Sequence, residues 1–352
     1  MHGLFDAWIR PGLVGLGLWL VCSVGQAQTP TPTPPPAWAS PVLRGPYARY
    51  LPDLAHGFAE QADRLVSQTR QHCADPAASA KLREAWQQTL LAWSSLSSPA
   101  IGPVVTRQTQ RMIDFWPALP SLIDASIIKA PQTVADLVRI GTPAKGLPAM
   151  DDLLLRDVHD EVTCHYLELL TQDIAAEAQG LERELRQMAA QDWPLQDEAT
   201  AEAFTEWGNQ WLGGLDRLRW MQIEQPVQRA RTRPQQFNGK PPFPRLQAQD
   251  NRVEWRARWQ ALLAQARTSA QVRNGPIPIE TLLRQQGHAA LADRWAAALD
   301  ASTQELDQLP TPVDDASLMH LSRTMKVASQ MYLDEVAQAL GILIDFSGKD
   351  GD

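Results

Sequence analysis

The chain has 352 residues, 44% of them hydrophobic and 20% charged, and a net charge of −8. That length suits two ordinary cores better than one, and the apolar content excludes wholesale disorder. The acidic balance, without a concentrated Lys/Arg surface, argues against a nucleic-acid partner, because such partners need cations to replace phosphate counterions.

Along the chain, Arg10 precedes an apolar run from Pro11 to Cys22, and Gly25-Gln26-Ala27 then supplies small side chains ahead of a signal-peptidase cut before Gln28. The run falls short of the ~20 residues that span a bilayer, so residues 1–27 read as a cleaved export signal. The alternatives are an uncleaved anchor and a lipoprotein cut before Cys22, the latter opposed by the bulky Val21. No later stretch is apolar enough for a membrane span, so the mature chain is expected in the periplasm of a Gram-negative cell. Residues 28–50 follow as a tether, where Thr29-Pro30-Thr31-Pro32-Thr33-Pro34-Pro35-Pro36 favours extended polyproline II. Beyond the signal only Cys73 and Cys164 remain. In an oxidising compartment a disulfide is expected, the alternative being two buried free thiols.

The body reads as helices punctuated by proline and glycine. Leu54, Phe58, Ala62, Leu65 and Val66 recur at helical spacing from Leu51 to Cys73. Asp75-Pro76 caps and opens a helix carrying Leu82, Trp86, Leu90 and Trp93, which stops at Ser97-Ser98-Pro99. Further helices are expected from Arg107 to Phe115, broken by Trp116-Pro117 and Pro120, and from Pro131 to Gly141. Long helices follow at about 157–190 and 199–228, the second with Trp207, Trp211, Leu215, Leu218 and Met221 on one face. Residues 234–250 read as a loop, and helices resume at 253–266, 279–286, 289–308 and 316–340. The fold class is therefore all-α. Two helical bundles, 51–190 and 191–352, divide at Gln191-Asp192-Trp193-Pro194, with an interdomain cleft. The tryptophans beyond the signal read as core filler.

Four constellations could carry chemistry. His165 and Glu168 share a helix face and could chelate an ion, although a lone pair at this spacing is far more often a solvated, hydrogen-bonded one. Gly146-Leu147-Pro148-Ala149-Met150-Asp151-Asp152 opens a helix with two carboxylates, which the helix dipole alone would favour. Arg111 and Asp114, three apart in Arg107–Pro117, could pair with each other. At the terminus, Asp350-Gly351-Asp352 adds oxygen ligands suited to hard cations. No zinc-protease HExxH, GxSxG elbow or Walker loop occurs.

Taken in order, Arg111-x-x-x-Phe115-Trp116-Pro117, Gly146-Leu147-Pro148-Ala149-x-Asp151 and Phe346-x-x-x-Asp350-Gly351-Asp352 resemble the imelysin-like proteins, from about Leu51 to Asp352. The resemblance implies two helical bundles with a cleft between them, in the bacterial envelope. Members of the family are classed with metallopeptidases, and several are tied to iron regulation or uptake. The family's metal motif, Gly-x-His-x-x-Glu, falls on Gly146 to Asp151, with Pro148 at the histidine position and Asp151 at the glutamate position. Proline has no lone pair for a metal and aspartate reaches one methylene less far, so Asp151 is the one candidate metal ligand left in the motif. In the tail, Asp345-Phe346-Ser347 replaces the usual Gly-Phe-Asn. The resemblance implies a ligand-binding cleft lined by Arg111, Trp116, Gly146, Pro148, Asp151, Asp350 and Asp352.

Two readings from different classes follow, with a purely structural or partner-binding role as a third. In the first, a non-catalytic envelope protein handles or senses iron, or another metal or ligand, in the cleft, with envelope or iron-uptake proteins as partners. In the second, the chain is a metallopeptidase using a metal-bound water. The missing histidine favours the first.

Overall fold

Helix begins earlier than the prolines suggest. In the computed structural model, which describes residues 35–156, 159–273 and 275–344, α1 (Ala39–Gly45) passes through a π turn (Pro46–Tyr50) into α2 (Leu51–Ala74). The expected tether is therefore helical over residues 39–50. The reason is burial: Ala39, Val42, Leu43 and Tyr47 are all withdrawn from water, at roughly 25 cal/mol per Å² of apolar surface. The signal segment 1–27, residues 28–34 of the tether and the acids Asp350 and Asp352 lie outside the described residues.

The next helix follows its sequence signals closely. Asp75 accepts a hydrogen bond from the Ala77 amide at 3.0 Å and starts the turn that becomes α3 (Ser79–Leu96). Leu82, Trp86, Leu90 and Trp93 form its buried stripe, and Trp93 meets Phe58 of α2 with ring centroids 5.6 Å apart. Three shorter pieces come after it, α4 (Pro103–Thr106), α5 (Thr109–Ile113) and α6 (Pro120–Ile128). The helix expected from Arg107 to Phe115 shrinks to α5 because Gln108 is left-handed (φ 55°) and Asp114 leaves the helix (φ −141°). Pro120 starts a helix rather than ending one, since a proline in the first turn forfeits no intrahelical hydrogen bond. The helix expected at 131–141 is a short 3₁₀ helix, Val134–Arg139, held by a Thr133/Asp136 capping box.

After α7 (Gly146–Arg156), α8 (Glu161–Met188) opens where Asp160 accepts from the Thr163 amide at 2.9 Å. It packs along α2, and a Cys73–Cys164 disulfide, Cα atoms 5.6 Å apart, ties the end of α2 to the start of α8. The connector Gln191–Pro194 leads to α9 (Glu198–Asp216), which continues through a π segment (Arg217–Glu224) into α10 (Gln225–Thr232). This π segment corrects one expectation. Trp207, Trp211, Leu215 and Leu218 are buried as their spacing predicts, but Met221 is exposed, because wider turns rotate the following residues off the stripe.

A short turn, α11 (Pro234–Phe237), interrupts the loop before α12 (Ala248–Ala266), and α13 (Ile279–Gln285), α14 (Ala289–Asp307), α15 (Asp315–Met331) and, past a π turn, α16 (Ala337–Ala339) complete the order. Helix α12 packs against both α3 and α9, joining early and late parts of the chain. Residues on both sides of the connector belong to one compact unit. Among the described residues every regular element is helical, and no helix is long and apolar enough to cross a membrane. Trp86, Trp93, Trp207, Trp211, Trp255, Trp259 and Trp295 are fully buried, so most of the tryptophan goes to the core.

The disulfide closes a loop across 91 positions of sequence. Replacing Cys73 with serine should lower unfolding stability by about 2–5 kcal/mol in a denaturant titration. Denatured but unreduced protein should show neither Cys73 nor Cys164 reacting with a thiol reagent.

Candidate functional site

Where α5 ends, Asp114 turns inward and meets two arginines from distant sequence. Arg245 Nη2 lies 2.7 Å from Asp114 Oδ1, and Arg258 Nη2 donates to Asp114 Oδ2 at 3.0 Å. Both arginines also donate to Glu254, Arg245 through Nε and Nη2 at 2.8 Å and Arg258 through Nε at 2.9 Å. The Ser97 and Ser98 hydroxyls accept from Arg258, and the Trp93 indole donates to Asp114 at 3.3 Å. All four charged side chains are at most 4% exposed. Two anions and two cations cancel, which is what permits four charges to stay buried. Burial alone would push the Glu254 carboxyl up, but the charges and hydrogen bonds of Arg245 and Arg258 outweigh it and hold the group at about 2. The expected Arg111–Asp114 pair is replaced by this network, with Asp114 buried and Arg111 exposed.

One face of the network meets a cleft of about 980 Å³. Its walls come from the α4–α5 region, the end of α8, α9, the π segment and the Pro244-Arg245 turn, and thus from both sides of the connector. Four polar atoms of its lining residues have no hydrogen-bond partner among the described residues: Nη1 of the fully buried Arg245, Oε1 of the buried Gln222, Oε1 of Gln110, and Oδ1 of Asp114, which has only its ionic contact with Arg245. The Gln222 amide is oriented by its Nε2, which donates to Glu254 at 3.4 Å. Arg111 and Trp116 both line the cleft, and the Arg229 guanidinium sits 5.7 Å from the Trp116 ring centroid, within cation–π range. Trp193 also lines it in a left-handed conformation (φ 52°), with its ring 4.9 Å from Tyr47. Bulky residues occupy that region only when their surroundings enforce it, and such strain gathers at functional sites.

Gly146, Pro148 and Asp151 are not among the cleft's lining residues; all three are buried at the start of α7. Gly146 has φ +69°, and a Cβ there would lie 2.3 Å from the Ile113 carbonyl oxygen, so no other residue fits. Pro148 sits in the first helical turn, where its missing amide has no helical acceptor to lose. Asp151 has both oxygens engaged, Oδ1 by Arg83 Nη1 at 2.6 Å and Oδ2 by the Leu246 amide at 2.9 Å. Its neighbour Asp152 pairs with Arg156 at 2.5 Å. His165 commits Nε2 to the Pro131 carbonyl at 3.0 Å. Among the described residues no three His, Cys, Asp or Glu side chains gather as an ion's ligands. The donor set at Gly146–Asp151 therefore does not fit the metal that the motif implies.

Sequence reasoning found Arg111 and Trp116 but not Asp114, Arg245, Glu254 and Arg258 as a unit. Glu254 and Arg258, four apart on α12, look like any solvated surface pair. Only the excess of charge on a helix that also buries Trp255, Trp259 and Leu262 hinted otherwise.

Because Glu254 is depressed in the folded state, its contribution to stability is complete above the ordinary carboxylate value of 4.5 and is lost as pH falls towards about 2. Glu254→Gln should flatten the acid-unfolding curve over that window and cost about 3–5 kcal/mol at neutral pH, as expected for a broken buried pair. Circular dichroism melts across pH 2–7 check both.

Comparison with known proteins agrees with this architecture. The family model for Imelysin matches residues 47–340. An imelysin-like protein from Psychrobacter arcticum 273-4 superposes with a TM-score of 0.69 at 20% identity, over 88% of this chain and 96% of the other. A putative iron-regulated protein A precursor from Parabacteroides distasonis ATCC 8503 gives 0.62 at 12% identity, over 88% and 95%. Among curated proteins none matches. A family match across most of the chain, on a helical fold shared with two solved structures, places this protein in the Imelysin family.

Proposed function

We propose that this chain is an exported, non-catalytic member of the Imelysin family that binds a ligand in its cleft, iron in chelated form or another metal-bearing small molecule. The observation that carries the reading is the cleft itself, about 980 Å³, with Arg245 Nη1 and Gln222 Oε1 unpartnered in its lining. Buried polar atoms left unmade are costly, and a ligand that accepts from one and donates to the other removes that cost. Aromatic walls with a few convergent polar groups are what small-molecule sites offer. Among the described residues, the lack of clustered metal ligands favours a ligand that brings its own donors over a bare ion.

The Parabacteroides neighbour, described as iron-regulated and as a precursor, supports the link to iron and to export. Envelope proteins of iron uptake are the partners this reading calls for. The peptidase reading requires a hydrolytic metal with about three protein ligands, and Pro148 and the engaged Asp151 do not supply them.

Trp116, Trp193 and Trp220 line the cleft, so ligand entry is readable in intrinsic fluorescence. Titration with ferric citrate should give a saturable change. Arg111→Ala should weaken that binding about tenfold, the equivalent of one charge-assisted hydrogen bond of ~1.5 kcal/mol. One zinc per chain together with chelator-sensitive cleavage of unfolded protein would establish the peptidase instead. No response to ferric citrate, Fe(II), Cu(II) or Zn(II), and no cleavage, would leave the partner-binding role.

A further inference from the structure

Asp151 does not stand alone. Asp250, at the start of α12, is equally buried, each carboxylate being 1% exposed, and the Arg83 guanidinium from α3 lies between them. Arg83 Nη1 donates to Asp151 Oδ1 at 2.6 Å and Nη2 donates to Asp250 Oδ2. The two outward oxygens are also taken: Gln87 Nε2 donates to Asp250 Oδ1 at 2.8 Å and the Leu246 amide to Asp151 Oδ2 at 2.9 Å. Each of the four carboxylate oxygens thus accepts a hydrogen bond, and the centre of the arrangement is a planar cation. Trp86 fixes that cation from one side, its ring centroid 4.4 Å from the guanidinium carbon, while the Trp86 indole donates to the Leu147 carbonyl within the motif.

We propose that Arg83 is the resident cation of this site, filling with a guanidinium the role that a metal ion would have between Asp151 and Asp250. Two facing carboxylates buried together repel one another, so the site needs a positive charge whatever its source. A metal ion supplies it when the motif brings a nitrogen donor. Here Pro148 brings none, and an arginine, always charged and bidentate by geometry, supplies it covalently. The outcome is a cross-link of α3, α7 and α12 that is indifferent to metal availability. Removing Arg83 leaves a vacant carboxylate pair with oxygen chemistry suited to a hard divalent cation. This proposal concerns a cluster outside the cleft lining and stands whether or not the cleft binds iron.

The test is thermal unfolding of the full chain, native and variant, in EDTA and in millimolar Mn²⁺. The native protein should melt at the same temperature in both. Arg83→Met, which keeps an apolar stem against Trp86, should melt on the order of 6–12 °C lower in EDTA, as a broken buried pair implies. Mn²⁺ should recover at least half of that loss, and adding Asp151→Asn should abolish the recovery. Arg83→Met with Asp151→Asn and Asp250→Asn removes the charges together, and should melt close to the native protein with no response to Mn²⁺. The proposal is overturned if EDTA lowers the native melting temperature and Asp151→Asn removes that effect. It is also overturned if Arg83→Met is as stable as the native chain, if Mn²⁺ fails to recover a folded Arg83→Met variant, or if the charge-free variant fails to fold.

Discussion

The structure turns on α12 being able to bury charge. Asp114, Arg245, Glu254 and Arg258 form a neutral quartet with side chains at most 4% exposed. Removing one ionic partner from such a group leaves an uncompensated charge in a low-dielectric interior, whereas the intact group gives little net stabilisation over a well-packed apolar one. Its consequence is therefore positional. An apolar helix face tolerates sliding against another apolar face, but Arg258 must reach Asp114, Glu254, Ser97 and Ser98 together. That requirement fixes α12 in register against α3 and against the chain leaving α5, and so fixes the walls that α5 and the Pro244-Arg245 turn contribute to the cleft.

How much of this was legible in the sequence depended on which signal was local. The Asp75-Pro76 cap and the α3 stripe are local, and the elements form where they point. Pro120 was ambiguous because a proline marks both ends of helices, and only the chain's path decides which. The π segment after Asp216 left no compositional trace, and extending a 3.6-residue period through it put Met221 on the wrong face. The charged floor was least legible of all. Asp114 and Arg245 are 131 positions apart, and no spacing rule links residues that meet only through tertiary packing.

The motif at Gly146 shows two demands that the sequence alone could not separate. Gly146 answers to the backbone: its φ of +69° and the approach of the Ile113 carbonyl leave no room for a side chain. That constraint holds with or without a ligand. Positions 148 and 151 answer to chemistry, and there proline and a hydrogen-bonded aspartate stand in place of donors. A family resemblance carried by the glycine therefore transfers the fold, while the neighbouring positions decide what the fold can hold.

The two ion clusters are also mechanically joined. Arg245 belongs to the floor of the cleft, and the very next amide, Leu246, donates to Asp151 in the cluster centred on Arg83. Consecutive residues share a peptide plane, so one cannot shift while the other stays. The adjoining Asn251 side chain closes the same turn, accepting from the Arg245 amide at 2.9 Å and donating to the Arg245 carbonyl at 2.8 Å. With both backbone groups of Arg245 held, its guanidinium is presented from a rigid loop although the surrounding segment is rich in proline and lacks regular structure. A polar group held this way meets a ligand without first losing conformational freedom, which is where much of the affinity of a preformed site originates.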